Sequence, residues 1–220
     1  MKSKIVCIFA HPDDEAFGPG GTIATFAKTQ EVYLICATKG EAGNKMGKSN
    51  LANIRVKELK ASAKILGIRR VFILNFKDGS LSNSTYHKLA KQIKKIIETI
   101  HPETLLTFEP KGISGHIDHI AVSMVTTFIF YKIPYLKKLF YYCHIRQQVK
   151  LILKIIGDYF IYFPPGYDPS QVNRTVRVKG VWKQRINAIL AHRSQMADTK
   201  KILSFLDQTP QLEHFLVLKK

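Results

Sequence analysis

The chain has 220 residues, 45% of them apolar, and carries 34 Lys and Arg against 16 Asp and Glu, a formal charge of +18. Length and apolar content suit one domain, or one with a small appendage, around a sizeable core, and no apolar run approaches the roughly 20 residues of a membrane-spanning helix. The charge favours phosphorylated substrates, anionic lipid headgroups or nucleic acid without choosing among them, and a Lys-rich lineage composition has the same appearance.

The apolar run 5–9 is the expected first strand, stopped abruptly by His11-Pro12. A helix is expected over 15–28, its start weakened by Gly18, Gly20 and Gly21, glycines that usually mark close backbone approach to a neighbour. Residues 32–37 read as strand two and 40–50 as a loop. An amphipathic helix over 51–66 follows, with Leu51, Ile54, Leu59, Ala63 and Leu66 on one stripe and Gly67 as its cap. Residues 71–75 are strand three, 89–100 a helix with a basic outer face, 104–108 strand four, and 117–131 a further helix. Strands alternating with helices of this length predict an α/β fold, a Rossmann-like, mostly parallel sheet flanked by helices, with right-handed crossovers and the active site at the carboxyl ends of the strands.

Residues 1–131 form the expected core with both motifs, and 132–220 a basic, less regular part completing the same domain. Within that part, 132–163 mixes aromatics with Lys and Arg, 164–169 is a turn-rich break, and 181–196 and 200–206 read as helices. Cys7, Cys36 and Cys143 are odd in number and lack motif spacing, so buried free thiols are expected. That, and an N-terminal apolar run too short for a signal peptide, fits a cytoplasmic protein.

The chemistry concentrates at two places. Residues 10–15, Ala-His-Pro-Asp-Asp-Glu, put one imidazole and three carboxylates at the end of strand one; residues 115–119, Gly-His-Ile-Asp-His, follow strand four. That much negative charge at a strand end needs a compensating cation. His11, Asp14 and His119 are the expected metal ligands, leaving a fourth position for water. Asp13, beside Asp14 but pointing elsewhere, is the expected general base. His116 is expected to stabilise the oxyanion and protonate the leaving group. Asp118 is expected to hydrogen-bond a histidine and fix its tautomer, and Glu15 either to do likewise or to cap the helix start. Taken singly, each motif has a plain structural reading: a turn histidine, or acids placed against a helix dipole. Two clusters at equivalent strand ends favour one shared site.

These residues resemble the PIG-L/LmbE-like family of zinc-dependent N-acetylglucosamine deacetylases, through the intact 10–15 motif and His-x-Asp-His at 116–119. Further matches are Gly20-Gly21, Arg55-x-x-Glu58 with Ile65-Leu66-Gly67, Asp78-Gly79 and 191–195, so the likeness spans most of the chain and weakens over 132–170. The resemblance implies zinc, or another divalent metal such as Fe2+, on His11, Asp14 and His119, with Asp13 as base and His116 as electrophilic helper. It also implies that Arg55 contacts substrate hydroxyls; the alternative is a solvated pair with Glu58. Some members carry tyrosine where this chain has Ser114, and Ile117 replaces a frequent proline. His192 and Gln195 are expected at the site rim or in structural hydrogen bonds, and His87, His101, His144 and His214 at the surface or in packing.

The expected reaction is removal of the N-acetyl group from an N-acetylglucosamine-type conjugate, releasing acetate. The substrate is a small amino-sugar conjugate, anionic or not; nucleic acid is not expected, since no recognition motif accompanies the charge. Two alternatives remain: a non-catalytic sugar- or nucleotide-binding module on the same fold, and a membrane-surface deacetylase of a lipid-linked amino sugar. Peripheral membrane contact through 132–163 is less favoured than an ordinary strand and helix with solvated lysines.

Overall fold

In the computed structural model, which describes residues 2–43 and 50–220, the first apolar run forms β1 (Lys4–Phe9). Its side chains alternate between two helical layers. Ile5, Cys7 and Phe9 face a cluster with Ile23, Leu59, Leu66 and Phe215, whereas Val6 and Ile8 face Leu89, Ile93, Ile97 and Ile129. Burial on both faces is why β1 is apolar throughout rather than alternating.

The chain continues through α1 (Asp14–Phe17), α2 (Gly20–Ala27), β2 (Glu31–Thr38), α3 (Leu51–Leu66), β3 (Arg70–Phe76), α4 (Tyr86–Ile100), β4 (Thr104–Phe108), α5 (Gly112–Gly115) and α6 (Ile117–Lys132). Then come β5 (Lys138–Cys143), α7 (Arg146–Ile156), β6 (Arg174–Arg177), α8 (Trp182–Leu190), α9 (Met196–Asp207) and β7 (Leu212–Lys219). The described residues build a seven-stranded sheet of order β3-β2-β1-β4-β5-β7-β6. Neighbours from β3 to β5 run parallel, and β7 is antiparallel to both β5 and β6. The expected α/β class with a mostly parallel sheet is the one observed.

Three expectations change. The helix expected over 15–28 is two helices, because Pro19 cannot donate a backbone hydrogen bond and Gly18 sits where a Cβ would lie 2.7 Å from the Asp14 carbonyl and the Phe108 ring. The helix expected over 181–196 ends at Leu190, and a short turn leads into α9. Residues 132–163 contain β5 and α7, the strand and helix favoured for that stretch, whereas β6 and β7, which the sequence reading did not assign, extend the same sheet. Residues 44–49 of the expected 40–50 loop lie outside the described residues. Gly67 closes α3 at φ +82, as its position predicts. Among the described residues no helix is long and apolar enough to cross a membrane.

The C-terminal part fastens onto the first motif through a buried ion pair. Arg185 on α8, 1% exposed, donates to the Gly18 carbonyl at 2.8 Å and meets Glu213 of β7 at 3.0 Å. Glu213 in turn accepts from the amides of Gly21 (2.9 Å) and Thr22 (2.7 Å), two N–H groups that the first turn of α2 leaves without helical partners. Gly21 is required there, since a Cβ would lie 2.8 Å from the Glu213 carboxylate and 2.6 Å from Val178.

Arg185→Met leaves the buried Glu213 carboxylate without its cation and is expected to cost about 3–5 kcal/mol, measured as a loss of unfolding free energy in urea. A second expectation concerns acid. Burial pushes the His144 imidazole, at the end of β5, down to about 3, against a partial upward pull from Gln148. Between its ordinary value of 6.5 and about 3, the unfolded chain therefore binds a proton that the folded chain refuses. The stability this gives is present above pH 6.5 and lost as the pH falls. In His144→Phe the fall in urea midpoint from about pH 7 to pH 5 should be shallower than in the parent; an equal fall would place the acid sensitivity elsewhere.

Candidate active site and metal centre

The strand order reverses between β1 and β4: the chain moves from β1 outward to β2 and β3, then returns to β4 on the other side. At such a switch point the two crossovers diverge and leave a crevice beyond the strand ends. Residues 10–15 leave β1 and residues 109–119 leave β4, so the two motifs meet at this crevice. Asp78, after β3, reaches the same sheet edge.

The imidazoles of His11 and His119 face each other, Nδ1 of one 3.1 Å from Nε2 of the other. Their outer nitrogens are committed elsewhere. His119 turns Nδ1 to the Gly112 carbonyl at 3.1 Å. His11 turns Nε2 to Asp78 at 2.9 Å and Asp118 at 3.2 Å. Each outer nitrogen thus carries the hydrogen, and each inner nitrogen presents a lone pair. Asp14 adds an oxygen 3.2 Å from His119 Nε2, while its second oxygen accepts from the Ala10 and His11 amides and lies 3.7 Å from His11 Nδ1. Two lone pairs and a carboxylate converging on one point repel unless a cation lies among them, and the nitrogen and oxygen donors fit a divalent metal.

The charges of the protein say the same. Burial would lower the His11 pKa, but its hydrogen bonds to Asp118 and Asp78 and the charge of Asp14 raise it to about 10. Burial would raise Asp14, yet His119 and His11 hold it well below the usual carboxylate range. His11, His116 and His119 bring donor atoms within 4.8 Å of one another, as do His11, Asp78 and Asp118. His116 differs from the other two imidazoles. Its Nδ1 accepts from the Asp118 amide at 3.2 Å, capping α6. Burial and the neighbouring imidazoles lower its pKa. A neutral ring accepting at Nδ1 carries its hydrogen on Nε2, where it can donate.

Asp13 sits at φ +123, a conformation that costs a non-glycine residue on the order of 1–3 kcal/mol. Three contacts hold it there. Arg55 on α3 donates to the Pro12 carbonyl at 2.6 Å and to the Asp13 carboxylate at 2.7 Å, and Glu15 accepts from the Asp13 amide at 3.1 Å. Burial raises the Asp13 pKa and Arg55 pulls it down; with Asp14 adding to the rise, the result is about 6. Glu15 is itself fully buried and held by Ser62 at 2.5 Å and His192 at 2.7 Å.

Several sequence expectations are resolved by this geometry. Asp118 hydrogen-bonds His11, and Glu15 does likewise with His192 while its other oxygen accepts from the Asp13 amide at the start of α1. The solvated Arg55–Glu58 pair is not formed: Arg55 is 5% exposed, and Glu58 accepts from the Ser194 amide and hydroxyl. His192 is buried against Glu15 rather than placed at the rim, while Gln195 and Ser114 border the cavity. His144 packs between Tyr142 and Phe205 and also borders it. Two functional carboxylates were given no role from sequence. Asp78 orients His11, and Glu109 accepts from the Lys111 and Ile113 amides and the Tyr167 hydroxyl, shaping the loop before His116. Their signal was available: each follows a strand at the ligand-binding edge. The cavity over the site measures about 660 Å3.

Comparison with known proteins agrees with this site. The PIG-L family model, described as GlcNAc-PI de-N-acetylase, matches residues 6–130. A probable N-acetyl-alpha-D-glucosaminyl L-malate deacetylase 2 of Bacillus cereus is 30% identical over 202 residues, covering 89% of this chain and 84% of that protein. The N,N'-diacetylchitobiose deacetylase of Pyrococcus horikoshii has a TM-score of 0.69 at 22% identity, over 99% of this chain and 84% of that one. GalB, the 4-carboxy-2-hydroxymuconate hydratase of Pseudomonas putida, also scores 0.69, at 15% identity over 99% and 97% of the two chains, so the fold alone does not fix the reaction. With the family model spanning more than half of the sequence and both of its motifs meeting at one crevice, the chain belongs to the PIG-L family of N-deacetylases, hydrolases that act on amide bonds.

Proposed function

We propose that the protein is a divalent-metal-dependent deacetylase that hydrolyses the N-acetyl group of a small N-acetylglucosamine conjugate in the cytoplasm. The observation that carries this reading is the pair of inward lone pairs on His11 and His119, 3.1 Å apart, with Asp14 alongside. We assign these three as the ligands, for zinc first, since two imidazoles and a carboxylate suit it, with Fe2+ the competing ion. When bound, the metal supplies Lewis acidity, acidifying a water and polarising the acetyl carbonyl.

The remaining work falls to the protein. Asp13 takes a proton from the attacking water, a role suited to a carboxylate raised to about 6 and still mostly ionised at neutral pH. His116 donates its Nε2 hydrogen towards the oxyanion that forms as water adds to the carbonyl. The C–N bond then breaks, and the proton that Asp13 took from the water passes to the departing amine, so acetate and the free amino sugar leave. Arg55 keeps Asp13 aimed: one terminal nitrogen holds the Pro12 carbonyl and the Asp13 carboxylate, and the other holds the Gly40 carbonyl at 2.7 Å. The complete set of ligands, base and donor favours an enzyme over a binding module.

Acetate release from N-acetylglucosamine conjugates by the metal-loaded protein is the primary test; a metal-replete protein that cleaves none of them would overturn the reading. Asp13→Asn should lower kcat by about 10²–10⁴ with metal content unchanged, whereas His119→Ala should lose the metal itself, both checked by elemental analysis of the purified variants. Arg55→Lys keeps the charge but not the fork that ties the Gly40 carbonyl to the Pro12–Asp13 turn. It is expected to lower kcat on the order of 10- to 100-fold with little change in KM, whereas a role confined to sugar hydroxyls would appear in KM instead.

A further inference from the structure

We propose that the active-site cavity has a second, apolar compartment, walled by α7, α9 and the segment between α7 and β6, that seats a hydrocarbon portion of the substrate. This rests on the deacetylase reading above and adds to it the chemical class of the conjugate.

The cavity, at about 660 Å3, is of the size that holds drug-sized ligands, more than one sugar ring needs. His11, Asp13, His116 and His119 line one end. The other is lined by Ile152, Ile155, Ile156, Phe160, Phe163 and Ile202, all partly exposed, so they face the open space. Ile152, Ile155 and Ile156 have the spacing of one helix face, and Lys150 and Lys154 lie outward on the same helix. A run of rings joins the two ends: His119 to Phe108 at 4.8 Å, Phe108 to Tyr142 at 6.3 Å, Tyr142 to His144 at 5.4 Å and His144 to Phe205 at 5.6 Å. Of the charges that also line the cavity, Arg193, Asp198 and Lys201, the last lies 3.4 Å from Asp198 and 4.1 Å from the Tyr159 ring centroid. The apolar character continues outside. Tyr162 packs on Gly115, next to His116, and Ile161, Tyr162 and Ile117 are exposed beside it. A hydroxylated or carboxylated group would lose hydration against such a wall and gain no hydrogen bonds, whereas an alkyl chain gains by its burial. An exposed apolar cluster at a cavity mouth is the usual mark of a ligand groove.

The chain can reach the compartment from two places on the substrate, the glycosidic side or the acyl side of the amide. Two series of probes separate them: methyl, hexyl and decyl glycosides of N-acetylglucosamine, and methyl glycosides bearing N-hexanoyl or N-decanoyl in place of N-acetyl, all below their micellar concentrations. We expect kcat/KM to rise along one series, by up to about four-fold per fully buried methylene. A rise with the glycosides places the hydrocarbon on the aglycone; a rise with the amides places it on the acyl group. If the methyl glycoside is deacetylated and both series are flat, the compartment is wrong and the deacetylase reading stands. If nothing is hydrolysed, calorimetric binding to the metal-loaded protein decides the compartment separately: a decyl glycoside binding no tighter than the methyl glycoside overturns it. Ile155→Asn should reduce the decyl-to-methyl ratio in whichever series responds, while Leu153→Asn, outward on the same helix, should leave that ratio at its parent value. Metal content and thermal melting confirm that both variants are folded.

Discussion

The crevice between β1 and β4 gathers more negative charge than the protein neutralises by itself. Asp13, Asp14, Glu15, Asp78 and Asp118 all converge there, and Arg55 is the permanent cation among them. Burying carboxylates is tolerable only with compensation. Glu15 and Asp118 obtain it from amides, a hydroxyl and imidazoles. Asp14 and the inward nitrogens of His11 and His119 leave room for a cation, and the rise of His11 to about 10 is the same demand expressed as affinity for a proton. Much of the surrounding structure acts to keep this imbalance in place.

That work is visible in the backbone. Asp13 at φ +123 and Ile113 at φ +58 are both forced conformations, and each lies within a few residues of a reacting group. Each is held by a buried charged side chain: Arg55 on α3 grips the Asp13 turn, and Glu109, at the start of the same loop, accepts the Ile113 amide. Strain of this kind persists only where neighbouring contacts over-determine the geometry. It aims Asp13 at Arg55 while Asp14 turns to His119, although the two are adjacent in the chain.

The C-terminal part, which reads as irregular in sequence, supplies the outer supports. Glu213 on the last strand holds the start of α2 through two amides, Arg185 neutralises it, and His192 steadies Glu15 from the other side. The same part also provides α7 and α9, which line the cavity.

The amino-acid sequence by itself determined the alternating strands and helices, the mostly parallel sheet, and the two motifs that meet at its carboxyl edge. Those are local signals: apolar runs of strand length, a 3.6-residue stripe, and chemistry-bearing residues at strand ends. It did not reveal β6 and β7, because their residues carry no period that sets them apart from the stretches around them; pairing partners far along the chain decide them. Nor did it reveal the roles of Asp78 and Glu109, the buried setting of Arg55 or the placement of His192. Whether an arginine lies on a solvated face or reaches a strained aspartate forty residues away depends on how α3 packs against the first turn, and only the tertiary structure fixes that.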